Sequence, residues 1–153
     1  MTAEVAIVAR YRGHRVVVLK RLEDSARVLY QDFSGAWAES NGFVQVDKYE
    51  YHATVPFAAL KDVAEERIEC TPGWWPSHGR AEYLGQICEV GALGADGLVE
   101  ITYLWRENSC AGTETKGKVL KRAEKLGFVE TAGGLTKTVA ASELHRVREY
   151  TPQ

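Results

Sequence analysis

"TVPFAALKDV", Thr54–Val63, and "TVAASELHRV", Thr138–Val147, stand eighty-four positions apart in a chain of 153 residues. Thr, Val, Leu and Val recur at the same four places in both. A chain of this length holds one ordinary domain or two small ones, and an internal repeat favours two. The first stretch leaves its strand at Pro56, which cannot donate to a ladder. Leu60 and Val63 then suit one tight helical turn followed by a short closing strand. The competing pattern is a longer helix from Phe57 to about Glu69, because Phe57, Leu60, Ala64 and Ile68 also form an apolar stripe.

Working outward, "GFV" at Gly42–Val44 returns at Gly127–Val129, one residue out of step with the first repeat. Further upstream, "GHRVVVLKRLEDSARVLY" has the outline of "GQICEVGALGADGLVEITY". Each begins with Gly, runs through a strand, turns at an acidic or Gly-bearing corner and enters a second strand. Strand composition is rich in β-branched and aromatic residues, and the turns fall at "EDS", near Asp47–Lys48, at Asp96-Gly97 and at Gly133-Gly134. Each half therefore offers about four short strands. Between the halves, "CTPGWWPSHGR" carries two prolines and two glycines and reads as a linker or ordered loop over 70–81, with Trp74 and Trp75 packing on the units beside it. The halves are 1–69 and 82–153. The second holds "RENSCAGTETKGKVLKRAEKLG" where the first has the shorter "SGAWAESNG". Val119, Leu120, Ala123 and Leu126 lie on one helical face, and Gly127 is a natural stop, so a helical insertion is predicted at about 113–126.

The segments "DGLVEITYLW…KTVAASELHRV" and "ATVPFAALKDV" resemble the strand-and-turn signature of Tudor-type and KOW-type SH3-like barrels. The resemblance covers about two-thirds of the chain in two copies. It implies a mainly β fold of two small SH3-like barrel units in tandem, with one helical insertion in the second. At the corner where Tudor domains carry their aromatic cage, this chain has "QDFSG" and "LWREN". The barrel is carried over and the methylated ligand is not.

Composition narrows the function. Apolar residues make up 45% and charged residues 26%, as a folded globule requires. Residues 1–69 hold nine Lys/Arg and eleven Asp/Glu, and residues 70–153 hold ten of each. The net charge of −2 excludes a strongly basic nucleic-acid binder but not local basic patches. Three cysteines, Cys70, Cys88 and Cys110, have no disulfide-framework spacing, and no apolar run approaches a membrane span. These features read as a cytoplasmic protein without a membrane partner. The spacing of Cys70, His78 and Cys88 fits no common zinc pattern. No nucleophile elbow, phosphate loop or zinc-protease helix is present, so no catalytic set, metal or cofactor is expected.

The charge clustering points to binding. Arg10, Arg12, Arg15, Lys20 and Arg21 fall within residues 10–21 with no acid among them, and this Arg-rich N-terminal strand, through Arg12 and Arg15, is expected to bind nucleic acid together with the helical insertion. Lys116, Lys118, Lys121, Arg122 and Lys125 crowd the predicted helix, with Lys118, Arg122 and Lys125 along one stripe. Such a stripe can follow a phosphate backbone, and Trp105 and Arg106 nearby, with Phe128, could stack on bases. A solvated helix face would look the same. A protein-interaction adaptor is the alternative, through Trp37, Trp74, Trp75, sheet edges and the acidic "DVAEERIE". Open edges also allow a homodimer. A minority alternative takes "KGKVLKRAEKLGFVETAGGLTKTV" as the recognition helix and wing of a winged-helix DNA binder.

Overall fold

The computed structural model describes residues 3–31, 35–108 and 114–153. Phe33, Cys110 and Thr113, the start of the expected insertion, lie outside these described residues. The protein is mainly β, with 54% strand and 18% helix. It divides into two compact units: residues 5–66 with 152–153, and residues 67–151 with 1–4.

The first unit contains β1 (Glu4–Tyr11), β2 (His14–Arg21), β3 (Ser25–Gln31), α1 (Gly35–Ser40), β4 (Val44–Asp47), β5 (Glu50–Pro56) and β6 (Leu60–Ile68). A single 3-10 turn, Phe57–Ala59, joins β5 to β6, so the tight-turn reading of "TVPFAALKDV" holds and the long helix does not form. The strand order is β6-β1-β2-β3-β5-β4. The second unit contains β7 (Gly79–Tyr83), β8 (Gln86–Val90), β9 (Leu98–Tyr103), α2 (Trp105–Asn108), α3 (Lys116–Lys125), β10 (Val129–Thr131), β11 (Gly134–Ala140), a 3-10 turn at Ala141–Glu143 and β12 (His145–Pro152). Its order is β12-β7-β8-β9-β11-β10. Strand for strand the two orders are the same. Within each unit neighbouring strands pair antiparallel.

The duplication extends to single residues. Tyr11-Arg12-Gly13-His14 and Tyr83-Leu84-Gly85-Gln86 make the same two-residue hairpin, with φ of 50° and 84° in one and 49° and 79° in the other. Two successive positive φ values give the turn whose twist matches that of paired strands. The helices end alike. The Gly42 amide donates to the Glu39 carbonyl and Phe43 to Ala38; Gly127 donates to Glu124 and Phe128 to Ala123. This is the Schellman arrangement, with glycine in the left-handed region at φ 83° and 92°. Asp62 and Arg146 share φ 50° in the two closing strands.

Equivalent positions also fill the two cores. Ala9 and Ala81, Tyr11 and Tyr83, Val28 and Ile101, Tyr30 and Tyr103, Phe43 and Phe128, and Leu60 and Leu144 are all buried. Each large apolar side chain removed from water contributes roughly 1.5–3 kcal/mol. The second unit replaces six-residue α1 by the pair α2 and α3. Helix α3 starts at Thr115, whose hydroxyl accepts from the Lys118 amide at 3.3 Å, and it buries Val119 and Ala123. The segment before β7 is not a free linker. Trp75 packs on the second core and donates its Nε1–H to the Gly91 carbonyl at 2.8 Å. Trp74 is half-buried, and its amide donates to Thr71.

Candidate nucleic-acid interface

The sharpest cluster of expected site residues lies where β9 gives way to the helices. Trp105, first residue of α2, leans on the second core. The Arg106 guanidinium stands 5.4 Å from its ring centre and the Lys116 ammonium 5.5 Å from it. Both cations are exposed. Along α3, Lys118, Lys121 and Lys125 are exposed too. Arg122 behaves differently. Its two terminal nitrogens reach the Glu114 carboxylate at 3.1 and 3.2 Å, and one donates to the Asn108 carbonyl at 2.7 Å. The expected stripe of Lys118, Arg122 and Lys125 thus has its middle member already held by a carboxylate. That contact keeps the guanidinium charged and lifts its pKa further. Burial raises the Tyr103 phenol, which the neighbouring Arg122 partly opposes, and its hydroxyl donates to Gln86 at 2.6 Å.

The other expected residues are dispersed. Arg12 occupies the first hairpin turn, over the Tyr11 ring at 5.1 Å and donating to Asn41 at 2.6 Å. Arg15 sits mid-sheet and pairs with Glu66 at 2.8 Å. Trp37 is half-buried against the first core, stacked on the His14 ring with centroids 3.7 Å apart. His14 also lies 3.3 Å from the Tyr30 hydroxyl. Trp37 and Arg122 occupy the same place in the two units, one residue before the buried alanine of the helix cap. His14 and Gln86 likewise correspond, each meeting the buried tyrosine of the third strand. The corner is therefore aromatic in one unit and ionic in the other. Aligning the two Tyr-x-Gly turns and the two Ala-Glu-x-x-Gly-Phe-Val segments is the signal that would have revealed it.

Reasoning from the sequence also missed Lys137. Its ammonium donates to the Tyr83 hydroxyl at 2.7 Å and to the Leu126 carbonyl at 2.8 Å, fastening the end of α3 to the sheet. The winged-helix pattern finds its helix and hairpin in α3 and β10–β11, but β11 is paired to β9 as well as to β10. Cys88 is buried, which pushes its thiol up to about 12, whereas Cys70 is exposed. Among the described residues no group of three or more His, Cys, Asp or Glu is placed to hold a metal, and no helix is long and apolar enough to cross a membrane.

Compared with protein-family models, curated proteins and solved structures, the chain matches none.

Proposed function

We propose that this is a non-enzymatic nucleic-acid-binding protein made of two related SH3-like units, in which α2 and α3 of the second unit form the main contact. The order of six strands with a 3-10 turn before the last, present twice, supports the Tudor- or KOW-like reading of each unit. The observation that carries the function is Trp105 bracketed by Arg106 and Lys116, with Lys118, Lys121 and Lys125 exposed beside it. Ammonium groups on α3 take phosphates and release counterions. The Trp105 ring offers a base-stacking face between two cations, the combination that suits single-stranded segments. Arg122, tied to Glu114, positions the helix rather than reaching for ligand.

Two variants test this with fluorescence polarisation. Lys118→Glu, Lys121→Glu and Lys125→Glu together should weaken binding at low salt at least tenfold and flatten its salt dependence. Trp105→Ala should weaken single-stranded binding by about 1–3 kcal/mol, the usual contribution of one stacked base, and spare duplex binding. Parental affinity in the triple variant removes α3 from the interface.

A second reading has its own observation. Edge strand β4 leaves Val44 at 68% and Val46 at 50% exposure, an apolar edge that could add a strand from a protein partner or a second copy. Loss of a partner or of dimerisation in Val44→Lys would favour it.

A further inference from the structure

The first unit's sheet sets like charges against each other twice. Arg10 stands directly opposite Arg15 between β1 and β2, and Lys20 opposite Arg27 between β2 and β3. All four share the face turned away from the first core. Arg10 alternates with buried Ala9 and Tyr11, and Arg27 with buried Ala26 and Val28; Arg15 precedes buried Val16. Lys20 joins this face because the register shifts between Val18 and Lys20. Opposed like charges destabilise a sheet. Glu66 offsets part of this at Arg15, 2.8 Å away, and Arg27 lies 3.3 Å from the His52 ring nitrogen.

The second unit serves as an internal control. Where the first has Arg10 opposite Arg15, the second has Glu82 opposite Ile87. Where Lys20 meets Arg27, the Gly91 amide donates to the Glu100 carbonyl. The same fold forms with neither like-charge pair, so the fold does not require them.

We infer that this face of the first unit is a second contact surface for nucleic acid, tracking the phosphodiester backbone across β1, β2 and β3. The inference rests on the nucleic-acid reading above and adds a site on the other unit. Neighbouring strands lie about 4.8 Å apart, so one phosphate can meet both members of an opposed pair. A bound phosphate turns their repulsion into shared attraction, and guanidinium forks match phosphate oxygens in pairs.

The test uses the full chain with Arg106→Gln, Lys116→Gln, Lys118→Gln, Lys121→Gln and Lys125→Gln, so that the exposed cations of α2 and α3 no longer contribute. Polarisation with labelled duplex DNA is followed from about 50 to about 200 mM salt, the range over which counterion release is read. Adding Lys20→Gln with Arg27→Gln removes two phosphate contacts and should make the log–log slope shallower by about 1.8. The same pair of substitutions should hold or raise Tm, because it removes a repulsive pair. Residual binding with this drop in slope supports the face, even where α3 proves silent. Loss of all binding in the α2–α3 variant, with the parent binding well, overturns the face and leaves the α3 reading intact. So does an unchanged slope in the Lys20→Gln, Arg27→Gln chain. A parent that binds no nucleic acid but binds vesicles of one-third phosphatidylserine through Lys20 and Arg27 overturns both.

Discussion

Gly42 and Gly127 end the helices of the two units in the same left-handed conformation, yet their surroundings differ. A Cβ added at Gly42 meets nothing within 4 Å, whereas at Gly127 it comes 3.0 Å from the Lys137 ammonium and 3.2 Å from the carbon bearing it. Gly42→Ala should therefore cost about 1–2 kcal/mol, the strain of the left-handed region alone. Gly127→Ala should cost about 1 kcal/mol more, because Lys137 must loosen its bonds to Tyr83 and Leu126. Urea midpoints of the two variants check the order. The repeated Gly-Phe-Val was legible from the sequence, and Gly127 as a helix stop, but Gly42 was not, since no helical periodicity precedes it. The role of Lys137 was not, because a lysine between two threonines in a strand gives no hint of what its ammonium will reach. Cross-strand neighbours such as Lys20 and Arg27 were hidden for a similar reason: register depends on a bulge that local composition does not announce.

At the scale of elements, long periodic segments were readable and short ones were not. Helix α3 announced itself through Val119, Leu120, Ala123 and Leu126. Helix α1 has only six residues, too few for a periodicity to show in "SGAWAESNG". Strand β7 was concealed in the presumed linker by the prolines and glycines before it. What fixes that segment is Glu149 of β12. Its carboxylate accepts from the Ser77 amide at 2.9 Å, the Ser77 hydroxyl at 3.0 Å and the His78 amide at 2.7 Å. Burial works to raise its pKa, but these donors outweigh burial and hold it below the usual carboxylate range. A carboxyl with a depressed folded pKa gives stability that is fully present above its unfolded value and lost as pH falls through the folded one. Glu149→Gln should then be less stable than the parent at pH 7, with the difference closing as pH drops below about 4.5, the ordinary carboxylate value. Thermal melts of both chains from pH 7 to pH 3 read this directly. A difference that persists unchanged at pH 3 would assign the tether to something other than the charged carboxylate.

On the scale of the molecule, duplication is the organising fact, and it was legible in outline. Three short matches in the same order announced two units. The count of six strands in each, rather than about four, needed the structure, because β1 and β7 hide behind an arginine-rich stretch and a proline-rich one. Two copies of one framework also show which residues the fold does not demand. Two tyrosines, two alanines and one phenylalanine are buried at matching places in both, while Trp105 with its cations, the lysines of α3 and the opposed basic pairs of the first unit each occur in one copy. A net charge of −2 conceals this, since it averages basic surfaces with acidic ones. The most direct measurement is a polarisation panel of the purified chain against duplex DNA, single-stranded DNA and a structured RNA at low and moderate salt. Binding to at least one of them that weakens steeply as salt rises is the expected result. No binding to any of the three at low salt would contradict the account.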